Sequence, residues 1–121
     1  MLIVEDDAMT ALVISEYLAA AGYRISIART GTEGVHRYVA ERPDLALVDV
    51  LLPKKDGFDT CYSMKTTEHG HHAPVVLMSA IYRDANQAAE YARDYHADGF
   101  WRKPLDLDVL VERVQELIGP P

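Results

Sequence analysis

The sequence predicts an α/β fold, a doubly wound five-stranded parallel sheet covered by helices on both faces. Three observations carry that prediction. Short apolar runs recur five times, and a segment of helical period follows each one. Two of the runs, Leu45-Ala46-Leu47-Val48 and Val75-Val76-Leu77-Met78, are continuously apolar, as strands covered on both faces are. Parallel neighbours need helical crossovers of one hand, so strict alternation of strand and helix selects this architecture.

Leu2-Ile3-Val4 reads as the first strand, stopped by the polar cluster Glu5-Asp6-Asp7. From Ala8 to about Ala21, the positions Met9, Leu12, Val13, Tyr17 and Ala20 recur at helical spacing and are expected to face the core, with Gly22 as the stop. Ile25-Ser26-Ile27 alternates like a half-exposed edge strand. A second helix, Thr32 to Arg42, carries Val35, Tyr38 and Val39 on one face. It ends at Pro43, because the residue before a proline avoids the helical region. The third helix runs from Gly57 to about Thr67 with Phe58, Cys61 and Tyr62, and an alanine-rich fourth runs from roughly Arg83 to Tyr95. Phe100-Trp101 is a short fifth strand. Leu107, Leu110, Val111, Val114, Leu117 and Ile118 then mark a fifth helix, capped by Asp106 or Asp108.

A chain of 121 residues suits one domain, residues 1–121. Its 49% hydrophobic and 26% charged residues are those of a soluble globular protein. No apolar run approaches the ~18 residues that cross a bilayer, so no membrane association is expected. The start has neither a basic leader nor a long apolar stretch, and the single cysteine, Cys61, cannot close an internal disulfide. A reducing, cytoplasmic location is therefore expected, with Cys61 in packing. The net charge of −7 argues against direct nucleic-acid binding by this domain, since gripping phosphates takes a concentrated basic patch. The ending Gly119-Pro120-Pro121 is consistent with a domain excised from a longer chain.

In an open doubly wound sheet, ligands bind beyond the carboxyl ends of the strands. Glu5, Asp6 and Asp7 follow the first strand, Asp49 ends the third, Ser79 ends the fourth and Lys103 follows the fifth. Carboxylates crowded together repel unless a cation joins them, and a hard, oxygen-rich site suits magnesium. The plainer role for each acid is helix capping, and for Asp7 taken alone it is the preferred one. Asp49 does not fit it: Val50-Leu51-Leu52-Pro53 follows, which is not helical. Lys103 alone would read as a solvated lysine. Opposite an acidic cluster it offsets charge and offers a point contact to phosphate, while Ser79 supplies a hydroxyl donor.

These residues resemble the receiver domain of two-component response regulators across essentially the whole chain. The resemblance rests on Leu2-Ile3-Val4-Glu5-Asp6-Asp7, Asp49-Val50-Leu51-Leu52-Pro53-Lys54-Lys55-Asp56-Gly57, Ser79-Ala80 and Lys103-Pro104, in the family's order and near its spacing. It implies a flavodoxin-like (βα)5 fold with strand order 2-1-3-4-5 and a switch phosphorylated on Asp49. Asp6, Asp49 and the backbone oxygen of Leu51 would ligate magnesium, with Glu5 acting through water. Ser79 and Lys103 would contact the phosphoryl oxygens, Ser79 and Phe100 would form the switch pair, and Lys103-Pro104 would be a cis peptide. The implied partners are a sensor histidine kinase or phosphotransfer protein and an output domain or protein. Such a domain promotes its own phosphorylation and dephosphorylation and is not otherwise an enzyme. Leu51 and Ile81 would flank the path of attacking water, and their bulk predicts slow phosphate loss. The stretch from Ser79 to Lys103 is about two residues longer than the family's, placing extra length in residues 80–84 or in the fourth helix.

Other features are read as structural. His69-Gly70-His71-His72 could hold zinc or nickel, but falls at the amino ends of the strands, away from the acids. Tyr82, Tyr91, Tyr95 and Trp101 could form an aromatic contact surface or cover the sheet, and Lys54-Lys55 is expected to be a solvated turn. Two further functions compete: an interaction module that works without phosphorylation, which the intact set of Asp6, Asp49, Ser79 and Lys103 disfavours, and a hydrolase of external phosphate esters, for which no separate general base is visible.

Overall fold

Central strands are apolar runs and the edge strands are mixed, and the computed structural model follows that plan. It describes residues 1–67, 73–80 and 85–121. The strands are β1 (Leu2–Val4), β2 (Ser26–Ala28), β3 (Ala46–Asp49), β4 (Val75–Ser79) and β5 (Gly99–Arg102). The helices are α1 (Ala8–Ala20), α2 (Gly31–Glu41), α3 (Gly57–Lys65), α4 (Ala85–Asp94) and α5 (Leu107–Ile118). All pairings are parallel, in the order β2-β1-β3-β4-β5, as the family resemblance implies.

Side chains alternate across the sheet and build a core on each face. Leu2, Val4, Val48 and Leu77 meet Tyr38, Cys61, Met64 and Ala92 on one side. Ile3, Leu47, Val76 and Met78 meet Ile14, Leu18, Leu110 and Val114 on the other. The Tyr38 hydroxyl, fully buried, donates to Ala73 O at 2.8 Å, so that its burial leaves no donor unpaired. Cys61 is packed as expected, and burial pushes its thiol up to about 12.

The helix ends follow from local chemistry. Asp7, Thr30, Asp56 and Asp106 accept from amides in the first turns of α1, α2, α3 and α5. Asp106, not Asp108, is therefore the cap of α5. Arg42 closes α2 in the left-handed region just before Pro43. The inward face of α1 differs from the expected one. Ala11, Ile14 and Leu18 are buried, whereas Met9 is 66% exposed, Leu12 48%, and Val13 and Tyr17 39% each. Residues 81–84 and 68–72, which include Ile81, Tyr82 and the histidine cluster, lie outside the described residues.

Gly57 opens α3 hard against the end of β3. A Cβ there would lie 2.2 Å from Asp49 O and 2.6 Å from Val50 Cα, both main-chain atoms that cannot swing aside. Its amide also donates to Val50 O at 2.8 Å, drawing the β3–α3 loop back over the strand end. Gly57→Ala is expected to destabilise the fold by about 2 kcal/mol or more, as overpacking against rigid backbone does. Urea unfolding measures this, and an unchanged midpoint would show that the close approach is not needed.

Candidate functional site

The register carries the site residues to one edge. Val4 pairs with Val48, Asp49 with Met78 and Ser79 with Arg102, so the ends of β1, β3, β4 and β5 lie side by side. Glu5 is 1% exposed, Asp49 and Ser79 are buried, and Asp6 is exposed. Single oxygens from Glu5, Asp6 and Asp49 all fall within 4.8 Å of one another. Lys103 enters from beyond β5, held by its amide donating to Ser79 O at 2.9 Å. Its Nζ contacts Glu5 Oε1 and lies 3.2 Å from Asp49 Oδ1. The Lys103-Pro104 peptide that follows is cis.

One ammonium cannot balance three carboxylates. Burial pushes Glu5 up to about 7, against the lowering effect of its hydrogen bond to Lys103, and the charge of Asp49 adds to the rise. Burial alone would lower Lys103, but its hydrogen bond to Glu5 and the charges of Asp49 and Glu5 outweigh it and raise the ammonium. Lys103 therefore keeps its proton, and the shortfall of positive charge is met at Glu5, which also holds a proton to higher pH than usual. The second Glu5 oxygen, Oε2, is buried with no hydrogen-bond partner among the described residues. An orphaned carboxylate oxygen beside two further carboxylates fits a hard divalent cation with oxygen ligands, magnesium above all.

Asp7 does not belong to this set. It caps α1, accepting from Thr10 N at 2.9 Å, and its hydrogen bonds with Thr10 hold its carboxyl below the ordinary value. Phe100 is half-buried on β5 opposite Leu77, where it packs on the α2/α3/α4 core and borders a cavity of about 640 Å³ between α4, β5 and α5. Leu51, two residues beyond Asp49, turns its side chain to solvent. A second cavity, of about 460 Å³, adjoins Lys103 and is lined by Met9, Val13, Ala80 and Pro104.

Of the minor features, Lys54 is exposed as expected, whereas Lys55 is tied down, donating to Ser63 Oγ at 2.7 Å. Tyr91 and Tyr95 reach toward α3, with Phe58 5.4 and 5.3 Å from their ring centres, while Trp101 packs on the α1/α5 core beneath Arg113. Arg29 carries no sequence signal, yet its Nη2 donates to Asp6 O at 2.7 Å.

Strand order and site together define a doubly wound α/β domain with an acidic, lysine-bearing cleft at its carboxyl edge. Comparison with known proteins places it more narrowly. Residues 1–115 match the response regulator receiver domain, and the chain belongs to that family, the phosphorylation-activated switch of two-component signalling. It is 31% identical to the DNA-binding dual master transcriptional regulator RpaA of Synechocystis, over 98% of this chain and 48% of that protein. The chain spans about half the length of the curated relatives it matches. A putative response regulator from Chloroflexus aurantiacus superposes with a TM-score of 0.87 at 28% identity, covering 97% of this chain and 94% of that one. The receiver domain of a sensor histidine kinase from Pseudomonas aeruginosa, solved with magnesium coordinated in its active-site cleft, superposes with a TM-score of 0.85 at 26% identity, covering 98% and 95%. No described helix is long and apolar enough to cross a membrane.

The raised Glu5 carboxyl predicts a pH dependence in the metal-free protein. Glu5 takes up a proton more readily folded than unfolded, so its stabilising contribution is complete below about 4.5, its ordinary value, and is lost as pH rises to about 7. Glu5→Gln abolishes that loss and leaves Lys103 paired with Asp49. With a chelator present, the stability of Glu5→Gln relative to wild type is expected to rise by about 2 kcal/mol between pH 4.5 and 7. Parallel stability curves for the two proteins would contradict it.

Proposed function

We propose that Asp49 is the phosphoacceptor and that the domain relays its modification to a partner surface. The observation that carries this reading is the placement of Lys103 Nζ against Glu5 and 3.2 Å from Asp49 Oδ1, in a cleft with more carboxylates than cations. Asp6, Asp49 and the backbone oxygen of Leu51 would hold magnesium directly, and Glu5 through water. Bound magnesium supplies neutralisation of charge on the phosphoryl oxygens. The Asp49 carboxylate attacks phosphorus in line, the P–N bond to the donor's imidazole breaks, and its electron pair returns to the ring nitrogen. Lys103 and Ser79 contact the phosphoryl oxygens, the lysine as a point charge and the serine as a hydroxyl donor. Drawing Ser79 toward the phosphoryl group opens space for Phe100 to turn, which changes the surface of α4 and β5. The domain thereby promotes its own phosphorylation and dephosphorylation and does not act on external esters.

The donor is a sensor histidine kinase or phosphotransfer protein in the cytoplasm. The exposed apolar positions Met9 and Val13 on α1 border the cavity beside Lys103 and give such a donor a surface to bury next to the acceptor. Output lies with a further domain or another protein. The DNA-binding relative suggests the former, since the net charge of −7 leaves DNA contact to a separate domain.

Incubation with acetyl phosphate and magnesium should add one phosphoryl group to the wild type and none to Asp49→Asn, read by intact mass. An unchanged wild-type mass would favour an interaction module that works without phosphorylation. With a phosphohistidine-bearing phosphotransfer protein as donor, Val13→Glu should slow transfer about tenfold, a barrier of ~1.4 kcal/mol, and leave acetyl phosphate labelling as it was. Equal slowing with both donors would take α1 out of donor docking.

A further inference from the structure

Of the three clustered carboxylates, two are fixed by packing and one is not. Glu5 and Asp49 are buried and share Lys103, whereas Asp6 is exposed. The aim of the Asp6 side chain therefore depends on how its main chain is held. The turn is anchored at both ends. The Glu5 amide donates to Ala28 O, at the end of β2, at 3.0 Å, and Asp7 caps α1. Between these anchors the carbonyl of Asp6 receives Arg29 Nη2 at 2.7 Å. Arg29 directly follows Ala28, so the last residue of β2 and the one after it grip consecutive residues of the acidic turn, one through a main-chain oxygen and one through a guanidinium.

The start of α2 positions the arginine. Its amide donates to Glu33 Oε2 at 3.3 Å, and Thr30 beside it caps the helix. Glu33 directs its other oxygen to Arg37 at 3.0 Å, and Arg37 reaches Ser26 at 2.7 Å and Glu41 at 3.6 Å. Both α2 carboxylates pair with Arg37 of their own helix, and the Arg29 guanidinium reaches across to the turn after β1. We propose that Arg29 is a positioning residue for the cation site, fixing the peptide that aims Asp6. The inference rests on Asp6 being a magnesium ligand.

Electrostatics alone makes the opposite prediction, which gives the proposal a sharp test. A guanidinium beside carboxylates repels an incoming cation, so as a bare charge Arg29 would weaken magnesium binding, and its removal would tighten it. As a strap, its removal lets the Asp6 peptide move and weakens binding. Partners of metal ligands typically contribute ~10- to 100-fold in affinity. Arg29 is exposed and acts through a main-chain oxygen, so a smaller effect is expected, about threefold to tenfold.

The experiment is a calorimetric titration of the metal- and phosphate-free chain with magnesium chloride, for wild type, Arg29→Met, Arg29→Lys and Asp6→Asn. Backbone order at Asp6 and Asp7 is measured alongside by 15N relaxation. Arg29→Met should raise the magnesium Kd about threefold to tenfold and lower the backbone order at Asp6 and Asp7, while Glu5, its amide bonded to Ala28, stays ordered. Arg29→Lys, which keeps the charge and one donor, should fall between Arg29→Met and wild type. A Kd that is unchanged or lower in Arg29→Met would overturn the proposal, as would weakening without loss of backbone order at Asp6 and Asp7. Should Arg29→Met fold poorly, Arg29→Lys decides alone, because the charge account predicts wild-type affinity for it and the strap predicts a loss. Wild-type affinity in Asp6→Asn would instead remove Asp6 as a ligand, a failure of the underlying reading that the arginine variants do not produce.

Discussion

The Lys103 ammonium, set between Glu5 and Asp49, is the contact on which the rest of the site depends. It is made by residues at opposite ends of the chain, joined only because β1, β3 and β5 end at one edge of a parallel sheet. It also leaves the account of charge incomplete. Three carboxylates face one lysine, and the shortfall appears as a Glu5 carboxyl raised to about 7 with one buried oxygen unpartnered among the described residues. A site in this condition is built for additional positive charge, and a cation followed by a phosphoryl group is the sequence of events that such a cleft accommodates.

The fold holds these groups in place by close main-chain approaches more than by side-chain bulk. Gly57 lets α3 start against the carbonyl of Asp49, and the Lys103 amide is clipped to Ser79 O. Both contacts bring a helix or loop to within hydrogen-bond distance of a strand end, where a small displacement moves a reacting group. The same economy gives the proposed change at Asp49 a short route outward. Ser79 and Phe100 lie on adjacent strands whose ends carry the site and whose flanks carry α4 and the large cavity beside it.

Much of this was legible in the sequence, for reasons that can be named. Continuous apolar runs mark β3 and β4 because both are covered on both faces, and the stripe of α5 reads correctly at Leu107, Leu110, Val111, Val114 and Ile118, whereas Leu117 is exposed. Asp49 stood out because a carboxylate ends an apolar run with no helix behind it to cap. The face of α1 was misread for a physical reason: the helix is apolar nearly all round, with Met9, Leu12, Val13 and Tyr17 outside and Ala11, Ile14 and Leu18 inside, so periodicity gives no direction. The contact from Arg29 to Asp6 spans 23 residues and is a side chain meeting a main-chain oxygen, which no pattern of residue types encodes. Lys103 was placed near the acids by topology, but its particular pairing with Glu5 across 98 positions follows only from the folded geometry.

The central claim is that the cleft carries an excess of negative charge, absorbed by a proton on Glu5 until a cation arrives. The most direct measurement is the number of protons released when magnesium binds, obtained by calorimetry in buffers of different ionisation enthalpy. With Glu5 at about 7, the account predicts release of about half a proton per ion at pH 7, falling toward none by about pH 8.5. Binding without proton release at pH 7 would contradict it.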